Sequence, residues 1–174
     1  VQALEYPRAQ DYTYRKAYSH LRLADYSDAE AGFKTLLGSK KYGNSAKFYT
    51  GYIAYINKDY KEALNLFDQV ETASELGDMA NYYKSQIYFL NKDYKKAYDL
   101  SRKMLNKDIE PLFIAEANRI AGESLYNMGD VVSAIPYLQN YVKGVESPLP
   151  STQYILGVSQ YKNHNNQNNN YSNA

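Results

Sequence analysis

Residues 51–67 read GYIAYINKDYKEALNLF, and the order of small, polar and aromatic residues in this stretch decides the fold. Gly51 opens it, Asn57-Lys58 interrupts it, and Asp59-Tyr60-Lys61-Glu62-Ala63 leads to Phe67. The pattern Asp-Tyr-x-x-Ala recurs upstream as Asp25-Tyr26-Ser27-Asp28-Ala29 and downstream as Asp93-Tyr94-Lys95-Lys96-Ala97. Ala29, Ala63 and Ala97 are each 34 residues apart. A weaker copy, Gly129-Asp130-Val131-Val132-Ser133-Ala134, follows 37 residues later, which implies three inserted residues. Twelve residues before each alanine stands Ala17, Gly51, Ser85 or Gly122, and four after it Phe33, Phe67, Ser101 or Leu138.

Two linked spacings that repeat together have a physical reading. Two helices cross closely only where side chains are small, and a large residue one turn later fills the space beside the crossing. First helices are expected near residues 9–23, 44–57, 77–91 and 111–128, and second helices near 27–39, 60–71, 94–106 and 132–143. Asp25, Asp59, Asp93 and Asp130 stand where a helix start needs a side-chain oxygen, and Ser27 with Glu30 has capping-box spacing. Pro136 falls in the first turn if its helix begins near Val132, where no amide bond is lost.

This helix-turn-helix unit of 34 residues resembles the tetratricopeptide repeat over almost the whole chain. The resemblance implies an all-α fold, a right-handed superhelix of antiparallel helix pairs. Repeats would lie near residues 10–43, 44–77, 78–114 and 115–149, with a partial unit at 150–174. Ser101 departs from the pattern in place of a large apolar residue, and the tryptophan often found early in the first helix is absent throughout. Pro7, just before the first unit, matches the place where such repeats often carry a proline after a second helix, so an earlier repeat is expected before it. At the other end, Thr152 to Tyr161 reads as another first helix with Gly157 at its small position. Asn170-Tyr171-Ser172-Asn173-Ala174 repeats the turn signature with asparagine in place of aspartate. A fragment of a longer array is therefore expected, with an Asn-rich tail held by contacts to its own unit or to a neighbouring molecule.

The composition narrows the functions. There are 20 Lys+Arg against 19 Asp+Glu, a net charge of +1, which provides no field to attract nucleic acid. No apolar run is long enough to span a bilayer, so no direct membrane insertion is expected. With Cys 0 there are no disulfides or cysteine-ligated metals, and His20 and His164 stand far apart without a second ligand pattern. Glycines occur singly, with no phosphate-cradling loop and no nucleophile elbow. No catalytic residue, metal or cofactor is expected, and an enzyme is the disfavoured reading.

The unusual number is Tyr 21. Residues three before, one after and four after each first-helix small residue share a helical face. These are Tyr14, Tyr18 and Leu21; Phe48, Tyr52 and Tyr55; Tyr82, Gln86 and Phe89; Arg119, Glu123 and Tyr126; Tyr154, Val158 and Tyr161. The resemblance implies that first helices line a concave surface that receives a peptide or partner helix. The binding residues would then be Tyr14, Tyr18, Phe48, Tyr52, Tyr55, Tyr82, Phe89, Arg119, Glu123, Tyr126, Tyr154 and Tyr161, with Arg119 and Glu123 forming a polar row. Alternatively, the rings simply pack between adjacent repeats. The Lys and Asn clamp by which some co-chaperone relatives hold a C-terminal carboxylate is not visible. A protein-binding scaffold is the leading reading, and self-association through the last repeat and its tail is the alternative. The Tyr-rich style also resembles tetratricopeptide proteins of the bacterial cell envelope, which implies an exported parent, in the periplasm or at the outer membrane; the cytoplasm is the other possibility.

Overall fold

The computed structural model describes the backbone of residues 2–106 and 111–172, and the side chains of residues 8–73, 76–106 and 113–165. All regular structure among the described residues is helical. In chain order the helices are α1 (Gln2–Arg22), α2 (Tyr26–Lys34), α3 (Gly43–Ile56), α4 (Tyr60–Asp68), α5 (Ser74–Leu90), α6 (Tyr94–Leu105), α7 (Pro111–Asn127), α8 (Val131–Gly144) and α9 (Pro150–Ser172). α1 starts well before the expected residue 9 and runs through Pro7, so that proline does not precede the first helix. Residues 107–110, which lie between the third and fourth alanines, fall outside the described residues.

One turn is built four times. After the first helix the chain takes a left-handed step at Ala24 (φ 59°), Lys58 (φ 63°), Lys92 (φ 61°) or Gly129 (φ 89°). The step lets the next amide reach back over the helix end. Asp25 donates to the His20 carbonyl at 2.9 Å, Asp59 to Ala54 at 2.9 Å, Asp93 to Tyr88 at 2.9 Å and Asp130 to Leu125 at 3.0 Å. The carboxylates of the same aspartates then accept from the amides of Asp28, Glu62, Lys96 and Ser133. Each aspartate thus closes one helix with its backbone and opens the next with its side chain. The expected Ser27–Glu30 box is corrected by this arrangement: Asp25 is the cap, and Glu30 pairs with Lys34 at 2.7 Å.

The chain forms two compact units, residues 1–83 and 84–174, with α5 contributing to both. In the first unit, contacts down α3 meet residues progressively earlier in α4, which defines an antiparallel pair. Phe48 meets Phe67 at 5.8 Å between ring centroids, Gly51 lies against Leu66 and Phe67, and Tyr55 meets Tyr60 at 6.1 Å. In α1 and α2, Tyr14 meets Phe33 at 5.9 Å and Ala17 meets Gly32, where an added Cβ would stand 2.7 Å from that of Ala17. The small partner has changed sides: Ala17 needs glycine opposite it, whereas Gly51 accepts Leu66. Ala17, Ala29, Phe33, Leu36, Ala46 and Ile53 form a buried core there. Removing such side chains from water is the main stabilising term of the unit.

In the second unit Gly122 lies against Leu138, and Leu125, Ala134 and Leu138 form a core flanked by Tyr98, Tyr126, Tyr137, Ile155 and Leu156. α8 begins at Val131, so Pro136 sits in its second turn and not the first. One amide bond to the Val132 carbonyl is therefore lost; Val132 is 50% exposed, and water can serve that carbonyl instead. α9 continues to Ser172, so Asn170-Tyr171-Ser172 is helical, while Asn173 and Ala174 lie outside the described residues. Ahead of the expected tail Lys162 lies 5.8 Å from the Tyr126 ring, and within it Asn165 lines a cleft of ≈ 560 Å³ with Tyr126, Asn127, Gly129 and Val131. The side chains beyond residue 165 lie outside the described residues.

Candidate protein-binding surface

The aromatic residues of the first unit form one connected set of ring contacts. Tyr42 stacks on Tyr14 at 4.4 Å, Tyr14 on Tyr18 at 6.3 Å, Tyr18 meets Tyr49 at 5.5 Å, and Tyr49 meets Phe48 at 5.3 Å. Phe48 meets Tyr83 at 6.2 Å, and Tyr83 touches Tyr52 at 5.3 Å, Tyr55 at 5.1 Å and Tyr82 at 5.0 Å. Centroid separations in this range are those at which aromatic pairs attract beyond their buried area. Tyr42 is tied further by donating to Asp11 at 2.7 Å, which also accepts from Lys41 at 3.0 Å.

The expected binding residues divide by burial. Tyr14, Tyr18, Tyr52, Tyr55 and Tyr82 are half-buried. Phe48 is only 2% exposed, which corrects its assignment: its ring belongs to the core between α3, α4 and Tyr83. Much of the tyrosine ladder therefore packs between consecutive repeats, and these rings are only partly exposed. In the second unit Phe89 and Tyr126 are half-buried as well, while Tyr154 and Tyr161 are exposed at 70% and 68%.

Tyr49 and Tyr83, two rings that join the set together, were not among the expected binding residues. Both stand two residues before the first-helix small residue, a position that the face of Tyr14, Tyr18 and Leu21 excludes. A signal existed in their 34-residue separation. Burial raises both hydroxyls well above the ordinary tyrosine range; for Tyr49, hydrogen bonds with Tyr14 and Tyr18 add to it.

The polar row is also corrected. Glu123 is 6% exposed, accepts from Arg119 at 3.0 Å and from Thr152 of α9, and so ties α7 to α9. Arg119 also donates to Glu116 at 3.0 Å and lies 5.6 Å from the Phe89 ring. Its charge is satisfied within the fold, and the flanking carboxylates hold its pKa up against the opposing effect of burial. This is an internal ion cluster, not an open polar row.

His20 is less isolated than its sequence position implies. Its Nδ1 lies 2.9 Å from Asp25 and 4.0 Å from Asp28, the one cluster of metal-ligand type among the described residues. Asp25 is already committed to the Asp28 amide, so the arrangement reads as a clasp on the helix cap.

Residues 14–78 match the family model of the tetratricopeptide repeat. Solved structures extend the likeness of fold beyond the matched residues. A double mutant of MamA from strain RS-1 is 19% identical, with a TM-score of 0.75 over 88% of this chain and 84% of that one. MamA from Desulfovibrio magneticus RS-1 is 18% identical, with a TM-score of 0.74 over 91% of this chain and 88% of that one. YrrB, a tetratricopeptide protein described as having an unusual peptide-binding site, is 18% identical, with a TM-score of 0.72 over 88% of this chain and 77% of that one. No curated protein matches the chain.

Proposed function

We propose that this protein is a non-catalytic scaffold that holds a peptide or protein segment on the tyrosine-rich first-helix surface of residues 1–83. The observation that carries the reading is the connected ring set from Tyr42 to Tyr82, in which tyrosines held by their neighbours remain only half-buried. Rings already held in place lose little entropy on binding, and their hydroxyls can bond to a peptide backbone. The repeat fold supports the same reading, since helical-repeat proteins offer extended surfaces for partners. YrrB, by its description, binds peptide on a related fold. Arg119 is held by Glu116 and Glu123, and His20 by the capping Asp25, so these ionisable groups are committed within the fold, which favours binding over catalysis.

A peptide-display selection against the chain, followed by chemical-shift mapping with the selected peptide, tests this. The reading expects shifts concentrated at Tyr18, Tyr52, Tyr55 and Tyr82. Shifts confined to residues 84–174, or selection of no saturable binder, would contradict it.

A further inference from the structure

The tyrosine surface of residues 1–83 has a hydrogen-bonding character as well as an apolar one. α2 and α4 begin on Tyr26 and Tyr60, the tyrosines of the repeated turn, and both are half-buried. Tyr60 meets Tyr55 at 6.1 Å, and Tyr26 packs on the same core as Leu21, which stands where Tyr55 does in the next repeat. Tyr52 connects the two repeats. Its ring meets Tyr83 at 5.3 Å, and the neighbouring Tyr26 adds to the rise that burial gives its pKa. Other hydroxyls nearby are already engaged: Tyr14 and Tyr18 bond with Tyr49, and Tyr42 donates to Asp11. Those of Tyr26 and Tyr52 make no hydrogen bond among the described residues.

Two open hydroxyls on half-buried rings discriminate between kinds of peptide. A helical segment has its carbonyls bonded internally and offers none to them. A segment in polyproline II conformation has no internal hydrogen bonds, so its carbonyls stay open to donors. Proline also brings no amide N–H that would be left without an acceptor, and it holds its backbone angle before binding, which lowers the entropy cost. Proline-rich segments are recognised in general on aromatic-lined surfaces. Tyr18, Leu21, Tyr26, Tyr52 and Tyr55 carry no charge, so a strongly charged segment would lose hydration there without gaining an ion pair from them.

We propose that this surface takes a proline-rich segment in polyproline II conformation, with the hydroxyls of Tyr26 and Tyr52 donating to its carbonyls. The inference rests on the peptide-binding reading of the same residues and names the chemistry of the peptide.

Decaproline with blocked ends, titrated by calorimetry up to about 1 mM, is the probe, with chemical-shift mapping on the same samples. Saturable binding is expected, with shifts at Tyr26, Tyr52 and Tyr55. Tyr26→Phe and Tyr52→Phe each keep the ring and remove one donor, and each is expected to weaken binding about three- to tenfold, the worth of one hydrogen bond. Tyr94→Phe, at the place of Tyr26 in the second unit, should leave affinity unchanged. An alanine-rich helical peptide of the same length should bind at least tenfold more weakly. Circular dichroism checks that each variant is folded. Absence of saturable decaproline binding, shifts confined to residues 84–174, affinity indifferent to both Tyr26→Phe and Tyr52→Phe, or equal affinity for the helical peptide would each overturn the proposal. If a display-selected peptide binds the tyrosine surface while decaproline does not, this inference alone falls. If neither binds, the peptide-binding reading falls with it.

Discussion

Tyr83 lies nearly flat on Phe67, with ring centroids 5.8 Å apart and planes 16° from parallel. Tyr49 lies on Phe33 in the same way, at 5.2 Å and 25°. Each pair joins the second helix of one repeat to the first helix of the next. The fit between neighbouring repeats therefore rests on a ring that the first-helix face pattern does not include.

Truncating that ring should unlink consecutive repeats. Tyr83→Ala is expected to cost about 3–5 kcal/mol in urea unfolding, as for other buried aromatic truncations. Tyr83→Phe keeps the stacking on Phe67 and should cost below about 1 kcal/mol. Equal losses for the two variants would mean that the hydroxyl, and not the ring contact, is what matters.

Alkaline pH should destabilise the protein through the same residues. Tyr49 and Tyr83 have their pKa raised in the folded state, chiefly by burial, and Tyr52 and Tyr137 are shifted the same way. The unfolded chain then releases these protons first, at the ordinary tyrosine value of about 10. Stability is complete below that pH and falls as pH rises from there towards the folded-state values. Urea midpoints measured at increasing pH should decline above about 10, and Tyr83→Phe should flatten the decline. A midpoint unchanged across that range would contradict the burial assigned to these hydroxyls.

The repeated turns hold non-glycine residues in left-handed geometry at Lys58 and Lys92, at φ 63° and 61°. Glycine relieves the steric cost of about 1–2 kcal/mol but adds back some unfolded-state entropy. Lys58→Gly and Lys92→Gly are each expected to stabilise by roughly 0.5–1 kcal/mol, read as a raised thermal midpoint. A lowered midpoint would show that the turn is not held as described.

Glu123 joins α7 to α9 through Arg119 and Thr152. Glu123→Ala leaves a largely buried guanidinium with Glu116 as its remaining described carboxylate, and is expected to cost about 3 kcal/mol in urea unfolding. Hydrogen exchange in α9 should accelerate in this variant more than in α1 to α4. Uniform acceleration along the chain would argue against a local tie.

The helices, turns and capping aspartates were legible in the sequence because each depends on local spacing. Asp25 closes and caps within a few residues of itself, and Gly51 meets a residue at a fixed offset in the same repeat. What was not legible depended on the next repeat. Phe48 reads as a surface residue by helical face, yet Tyr83, far along the chain, covers it. Arg119 and Glu123 read as an open polar row, yet Thr152 of α9 closes it. Ser101 is the converse case. It is fully buried where Phe33 and Phe67 stand in other repeats, and the position equivalent to Tyr49 and Tyr83 in the following repeat is Ile120. The aromatic pair has been lost from both sides together, which a comparison of single positions does not reveal.

Binding at the tyrosine surface is the central claim, and paired affinity measurements test it most directly. A peptide selected on the intact chain would be titrated against that chain and against the double variant Tyr18→Gln, Tyr52→Gln, with equal folding confirmed by circular dichroism. The account predicts that affinity falls at least tenfold, about 1.4 kcal/mol or more. An unchanged dissociation constant would contradict it.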